Sequence, residues 1–285
     1  MTDGMKKSPT IGVFGHSHII CLLDALGDWR PPVDDGVTDF WAEGDYLKHR
    51  FDLSVSDNET GQSYGVIGFP IANKTEGRWL VEPSQQNPKR VTVSKTFQEY
   101  MQRFAECDVL ISTVFGNEFA SFQFLQHSVP YDFAELGKPA DNATLKPGTM
   151  PIDRNDVRAA IDVFVRQIVL VLKAIRNLYP KKKIMHMSPP PPIEDPTVAK
   201  FQEGFEEAFK TRGITDSALR QKWYRSYCYL LRGRLKEAGF RTILPPGDAI
   251  TEDGFIQPEF LEGLTHGNAD YGRLSWQAIL RELRP

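Results

Sequence analysis

A chain of 285 residues is long enough for one large domain or two ordinary ones, and its 41% hydrophobic and 25% charged residues are those of a globular protein. That balance excludes a disordered chain, a collagen-like repeat and a coiled coil as the main architecture. With 34 Lys plus Arg against 37 Asp plus Glu, the formal charge is -3, so the basic footprint of a nucleic-acid binder is missing.

Residues 1–10 read as a flexible tail, followed by a single domain from 11 to 285. Lys6 and Lys7 precede an apolar run broken by His16, His18 and Asp24, with no small-residue cleavage site, so no signal peptide is expected. Residues 11–14 form a short apolar run ended by Gly15, a buried-strand pattern. Helical spacing follows over 19–26, stopped by Gly27, and 51–55 alternates as a second strand. The stretch 57–90 is rich in Gly, Pro and Asn and reads as a long decorated loop or hairpin, an insertion spanning about 57–92. Residues 97–105 look helical, and 109–114 is a β-branched run ended by Gly116. A second Pro- and Gly-rich insertion covers about 128–152.

The strongest helix is expected over 153–179, with Asp153 as its N-cap. Val157, Ile161, Phe164, Ile168, Leu172 and Ile175 mark its apolar face, and Asp162, Arg166, Lys173 and Arg176 the opposite one. Charges inside that run disqualify it as a membrane span. Lys181, Lys182 and Lys183 read as a solvated helix end. Residues 184–187 form a strand cut off by the prolines at 189–192. Helical stretches at 200–210 and 217–238, a strand at 241–244 and a helix at 271–283 complete the chain. Cys21, Cys107 and Cys228 are too widely spaced for a disulfide framework, and the first two sit beside apolar stretches as buried thiols. The expectation is a cytoplasmic protein without nucleic-acid or membrane partners.

About five strands alternating with helices point to an α/β three-layer sandwich with a central, mostly parallel sheet. Ligands of such sheets sit beyond the carboxyl ends of the strands. Three polar groups fall there. Ser17, in Gly15-His16-Ser17-His18, lies at a strand-to-helix turn, where a nucleophile or a simple helix cap are both possible. Asn117, in Gly116-Asn117-Glu118, is either an oxyanion donor or a left-handed turn residue. His266, in the 264–272 segment before the last helix, is either a general base or a surface histidine.

In this order Ser17, a glycine, Asn117 and His266 resemble the SGNH hydrolase superfamily, the GDSL-like esterases, from residue 11 to about 272. The Ser188-Pro189-Pro190-Pro191-Pro192 turn and Asp253-Gly254-Phe255 add to the resemblance. The His266-Gly267-Asn268 segment ending in Tyr271-Gly272 is its most specific piece. The resemblance implies a flavodoxin-like fold and a carboxylic ester hydrolase with no cofactor and no metal. Ser17 would be the nucleophile, His266 its base, and the Ser17 N–H, Gly68 and Asn117 the oxyanion hole. Gly68 is chosen over Gly61 and Gly65 because it ends Val66-Ile67. His16, His18 and Glu118 would face the substrate.

Three positions depart from the family pattern. His16 stands where an Asp is usual, Phe115 where a Gly often stands, and Gly263 where the acid three residues before the histidine is expected. Glu262 is then the acid, with Asp253 or a Ser–His dyad as alternatives. The implied reaction removes a small acyl group from a carbohydrate or other small-molecule ester through an acyl-enzyme. An O-acyltransferase on the same scaffold and a degenerate binding protein are the alternatives. A metallophosphoesterase is disfavoured because Gly-His-x-His comes first in the chain and no His separates Asn117 from Glu118. The loop aromatics Trp79, Tyr131 and Phe133 would stack on a sugar or anchor their loops.

Overall fold

The computed structural model describes residues 8–27, 51–71, 81–83, 91–115, 123–139, 145–198 and 203–284. The first half of the chain runs β1 (Thr10–Gly15), α1 (Ile19–Asp24), β2 (Phe51–Ser56), β3 (Ser63–Pro70), β4 (Val81–Pro83), β5 (Val91–Val93), α2 (Lys95–Gln102) and β6 (Val109–Thr113). It continues through β7 (Tyr131–Phe133), β8 (Met150–Ile152), α3 (Arg154–Leu178), β9 (Lys183–Met187), α4 (Glu203–Arg212) and α5 (Ser217–Glu237). The last elements are β10 (Arg241–Ile243), the two-residue strands β11 (Leu261–Glu262) and β12 (His266–Gly267), and α6 (Ala269–Leu283).

The central sheet has the order β10-β9-β6-β1-β3-β2. Every neighbouring pair is parallel except β2 with β3. Counted in chain order, its five parallel strands are arranged 2-1-3-4-5, the flavodoxin-like order. The sheet therefore has six strands, not the five expected. The additional one, β3, lies inside the stretch read as a loop or hairpin, pairs antiparallel with β2 and sits next to β1. Its glycines explain the misreading: a Cβ on Gly68 would stand 2.5 Å from Leu23 Cδ2 of α1, so the strand gave up a side chain to let the helix approach.

Alternating side chains feed two cores. Phe14, Leu110 and Ile184 point into one, with Phe97 and Met101 of α2, Ile168 of α3 and Leu231 of α5. Val13, Ile111 and Met185 point into the other, with Leu22 of α1 and Trp276 and Ile279 of α6. Each fully buried side chain of this size contributes roughly 1.5–3 kcal/mol. Helices thus cover both faces. The runs of the inner strands β1 and β6 are buried almost throughout because helices cover both faces there, whereas the edge strand β2 alternates, with Ser54 and Ser56 exposed.

Helix α3 follows its sequence closely. The Asp153 side chain accepts from the Asn155 N–H at 2.7 Å, and Val157, Ile161, Ile168, Leu172 and Ile175 are buried. Asp162 corrects the reading of its outer face. It is buried between Arg166 and Arg234, at 2.5 and 2.9 Å.

The 128–152 insertion is fastened to α5. Lys222 Nζ donates to both Asp132 oxygens at 2.7 Å, Trp223 Nε1 donates to the Tyr131 hydroxyl at 2.9 Å, and the Phe133 ring packs edge-on against Trp223. Tyr131 and Phe133 are therefore anchors, while Trp79 lies outside the described residues. Cys21 and Cys107 are buried, as expected. Among the described residues no helix is long and apolar enough to cross a membrane.

Candidate active site

In a 2-1-3-4-5 sheet the crossovers leave in opposite directions on either side of the first strand, which opens a crevice at the carboxyl ends of β1 and β6. Ser17 follows β1 there. Gly15 permits the turn, since a Cβ would stand 2.0 Å from Thr113 Oγ1 and 2.5 Å from the Thr113 carbonyl carbon. Backbone bonds from Ile19 N to His16 O (2.9 Å) and Ile20 N to Ser17 O (3.1 Å) close the turn into α1.

His266 is brought to the same place from the far end of the chain. β11 and β12 form a hairpin with Glu262 opposite His266, turned through Gly263 in the left-handed region at φ 71°. The Asn268 side chain then accepts from the Asp270 and Tyr271 N–H groups as the cap of α6. α6 in turn packs on α1. A Cβ on Gly272 would stand 1.8 Å from the Cys21 carbonyl oxygen, so only glycine permits this crossing. The result is a hydrogen bond of 2.7 Å between His266 Nε2 and Ser17 Oγ, across 249 residues of sequence. On the other side of the ring, Nδ1 lies 3.2 Å from Thr265 Oγ1. Burial pulls the His266 pKa down to about 4, so the imidazole is unprotonated at neutral pH and its Nε2 lone pair is free to accept a proton.

Two further histidines, His16 and His18, flank Ser17 in sequence. His18 is buried with its ring 5.1 Å from that of His266. His16 is buried too, and it does not open toward a substrate. Its Nδ1 accepts from the Phe115 N–H at 2.9 Å, and its ring stacks on Phe115 at 5.0 Å with a 21° tilt. An accepting Nδ1 requires the neutral ring, and burial lowers the His16 pKa to about 4. Phe115 is held at φ 60°, a left-handed conformation that costs a non-glycine residue of order 1–3 kcal/mol. His16 thus ties the Ser17 turn to the exit of β6.

The other predicted site residues fare differently. Gly68 is not brought to Ser17. It is paired with Val13 and Phe51 in the body of the sheet, whereas Ile71, whose N–H donates to Gly15 O at 2.7 Å, marks where β3 leaves the edge. Glu262 stands across the hairpin from His266, but its side chain is exposed, and among the described residues the Thr265 hydroxyl lies at hydrogen-bond distance from Nδ1. Asp253 is exposed on the loop before Phe255, its carbonyl held by Gln221 and Arg225. Asn117 and Glu118 lie outside the described residues. Sequence reading missed Thr265, although a hydroxyl one residue before the base was a visible signal. Among the described residues no three His, Cys, Asp or Glu side chains converge as a metal site.

Fold and site together define an α/β protein with a serine–histidine pair at the crevice of a flavodoxin-like sheet. No protein-family model matches the chain, and no curated protein matches it. Among solved structures it is similar to the periplasmic domain of a lipopolysaccharide acetyltransferase from Salmonella ser. Paratyphi A, at 13% identity, covering 97% of this chain and 84% of that one, TM-score 0.48. It is also similar to a GDSL-like lipase from Bacteroides thetaiotaomicron, at 12% identity over 99% of this chain and 91% of that one, TM-score 0.42. A carbohydrate acetylesterase from Sinorhizobium meliloti is 15% identical over 97% and 98%, TM-score 0.40.

Proposed function

We propose that this chain is a serine-dependent esterase of the SGNH type, which removes a small acyl group from a carbohydrate or other small-molecule ester. The observation that carries the reading is the 2.7 Å bond between Ser17 Oγ and His266 Nε2 of a half-buried, neutral imidazole. A free serine hydroxyl is a weak nucleophile, and a base within hydrogen-bond reach is what activates it.

In this reading Ser17 Oγ attacks the ester carbonyl while its proton passes to His266 Nε2. The carbonyl oxygen becomes an oxyanion, to which the Ser17 N–H and the Asn117 amide are assigned as donors. Collapse of the tetrahedral species breaks the ester C–O bond, and the imidazolium gives its proton to the departing alcohol. Water, deprotonated by the same imidazole, then attacks the acyl-serine and releases the acid. An acceptor hydroxyl in place of that water would make the reaction a transfer.

The test is nitrophenol release from short-chain nitrophenyl esters. Ser17→Ala and His266→Ala are each expected to lower kcat by roughly 100-fold or more. Undiminished turnover in both variants would refute the assignment.

A further inference from the structure

A base that takes a proton at Nε2 must carry its own proton at Nδ1, and which nitrogen is protonated is set by the partner of the other. The hairpin and the helix cap fix the His266 backbone on both sides. Asn268 N donates to Phe260 O at 3.0 Å and Asn268 Nδ2 to Glu259 O at 2.7 Å. A Cβ on Gly267 would stand 2.3 Å from the Tyr271 ring, so that residue too is seated with no slack. What the backbone leaves open is the ring orientation and its tautomer. Among the described residues the Thr265 hydroxyl lies at Nδ1, 3.2 Å away in the hairpin turn.

We propose that Thr265 is a positioning residue: its hydroxyl oxygen accepts the Nδ1–H of His266 and so presents an unprotonated Nε2 to Ser17. The inference rests on the esterase reading for its consequence, though not for its geometry. A hydroxyl orients the ring as a carboxylate would, but it brings no negative charge to balance the imidazolium formed when Ser17 loses its proton. Removing the oxygen therefore affects the chemical step more than substrate binding.

The experiment combines nitrogen NMR of the histidine rings with steady-state kinetics on a nitrophenyl ester, for the wild type, Thr265→Val, Thr265→Ala and Thr265→Ser. The wild-type protein is expected to show His266 as the Nδ1–H tautomer. Valine and alanine should shift that population and lower kcat about tenfold or more while KM stays within about twofold. Serine should restore both. An Nε2–H tautomer in the wild type, or valine and alanine variants that keep the wild-type tautomer or the wild-type kcat, overturns the proposal. The alanine variant introduces no new branch and serves if valine fails to fold. Absence of ester turnover in the wild type counts against the esterase reading alone, because the tautomer still decides the role of Thr265.

Discussion

His16 shows how much one side chain can join. It follows the last glycine of β1, precedes Ser17, and accepts from the backbone N–H of Phe115 at the exit of β6. Without that acceptor, Phe115 N–H would be left buried and its left-handed conformation would lose the bond that holds it. His16→Leu is expected to destabilise the fold by roughly 1–3 kcal/mol, the cost of an unsatisfied buried donor. Its kcat should fall as well, because the serine turn and the β6 exit lose their connection. Asparagine offers a side-chain oxygen near the position of Nδ1, so His16→Asn should recover much of both. Denaturant unfolding and nitrophenyl ester kinetics on the two variants check this, and equal losses in both would show that the ring stack matters more than the hydrogen bond.

At the scale of elements, glycines decide which helices may touch. Gly272 of α6 meets the backbone carbonyl of Cys21 in α1, whereas Gly68 of β3 meets only the methyl end of Leu23. A backbone cannot retreat as a leucine can. Gly272→Ala is therefore expected to cost more than Gly68→Ala, by about 2 kcal/mol, measured by urea unfolding. It should also reduce activity, since α6 carries the cap that seats His266. The same glycines explain what was legible beforehand. α3 was readable because its apolar period and its Asp153 cap agree with each other. Ser17 and His266 were readable because each stands within two residues of a glycine at an element boundary, Gly15 and Gly267. β3 was not, because Gly65 and Gly68 look like loop residues until the strand lies beside β1 and α1 is packed against Gly68. The acid was sought by its distance in sequence from His266, while among the described residues the hairpin turn brings the Thr265 hydroxyl to Nδ1, a neighbourhood that sequence spacing does not encode.

At the scale of the whole molecule, protonation links the site to stability. His16 and His266 are held to pKa values of about 4 and His186, bonded to Ser112 in the sheet, to about 3, all by burial. In the unfolded chain each would titrate near 6.5. Below that pH the unfolded state binds protons that the native state refuses, so the stability these neutral rings represent is present above pH 6.5 and is lost as pH falls toward 4. Each histidine adds a slope of about 1.4 kcal/mol per pH unit across that window. The clamp of Arg284 on Asp57 acts in a different range. The guanidinium holds the Asp57 carboxyl well below the usual carboxylate value, so its contribution is present above about pH 4 and is lost only below it. Urea unfolding of the wild type at pH 7, 6 and 5 should show a steep fall in stability. His186→Gln should flatten the dependence by nearly one proton, while Arg284→Ala should lower stability at every pH and leave the slope between pH 7 and 5 as it was. Because His266 stays neutral to about pH 4, kcat/KM for a nitrophenyl ester should remain level from pH 7 to 5 while stability declines. An acid limb centred near 6.5 would mean that the base is not buried as described.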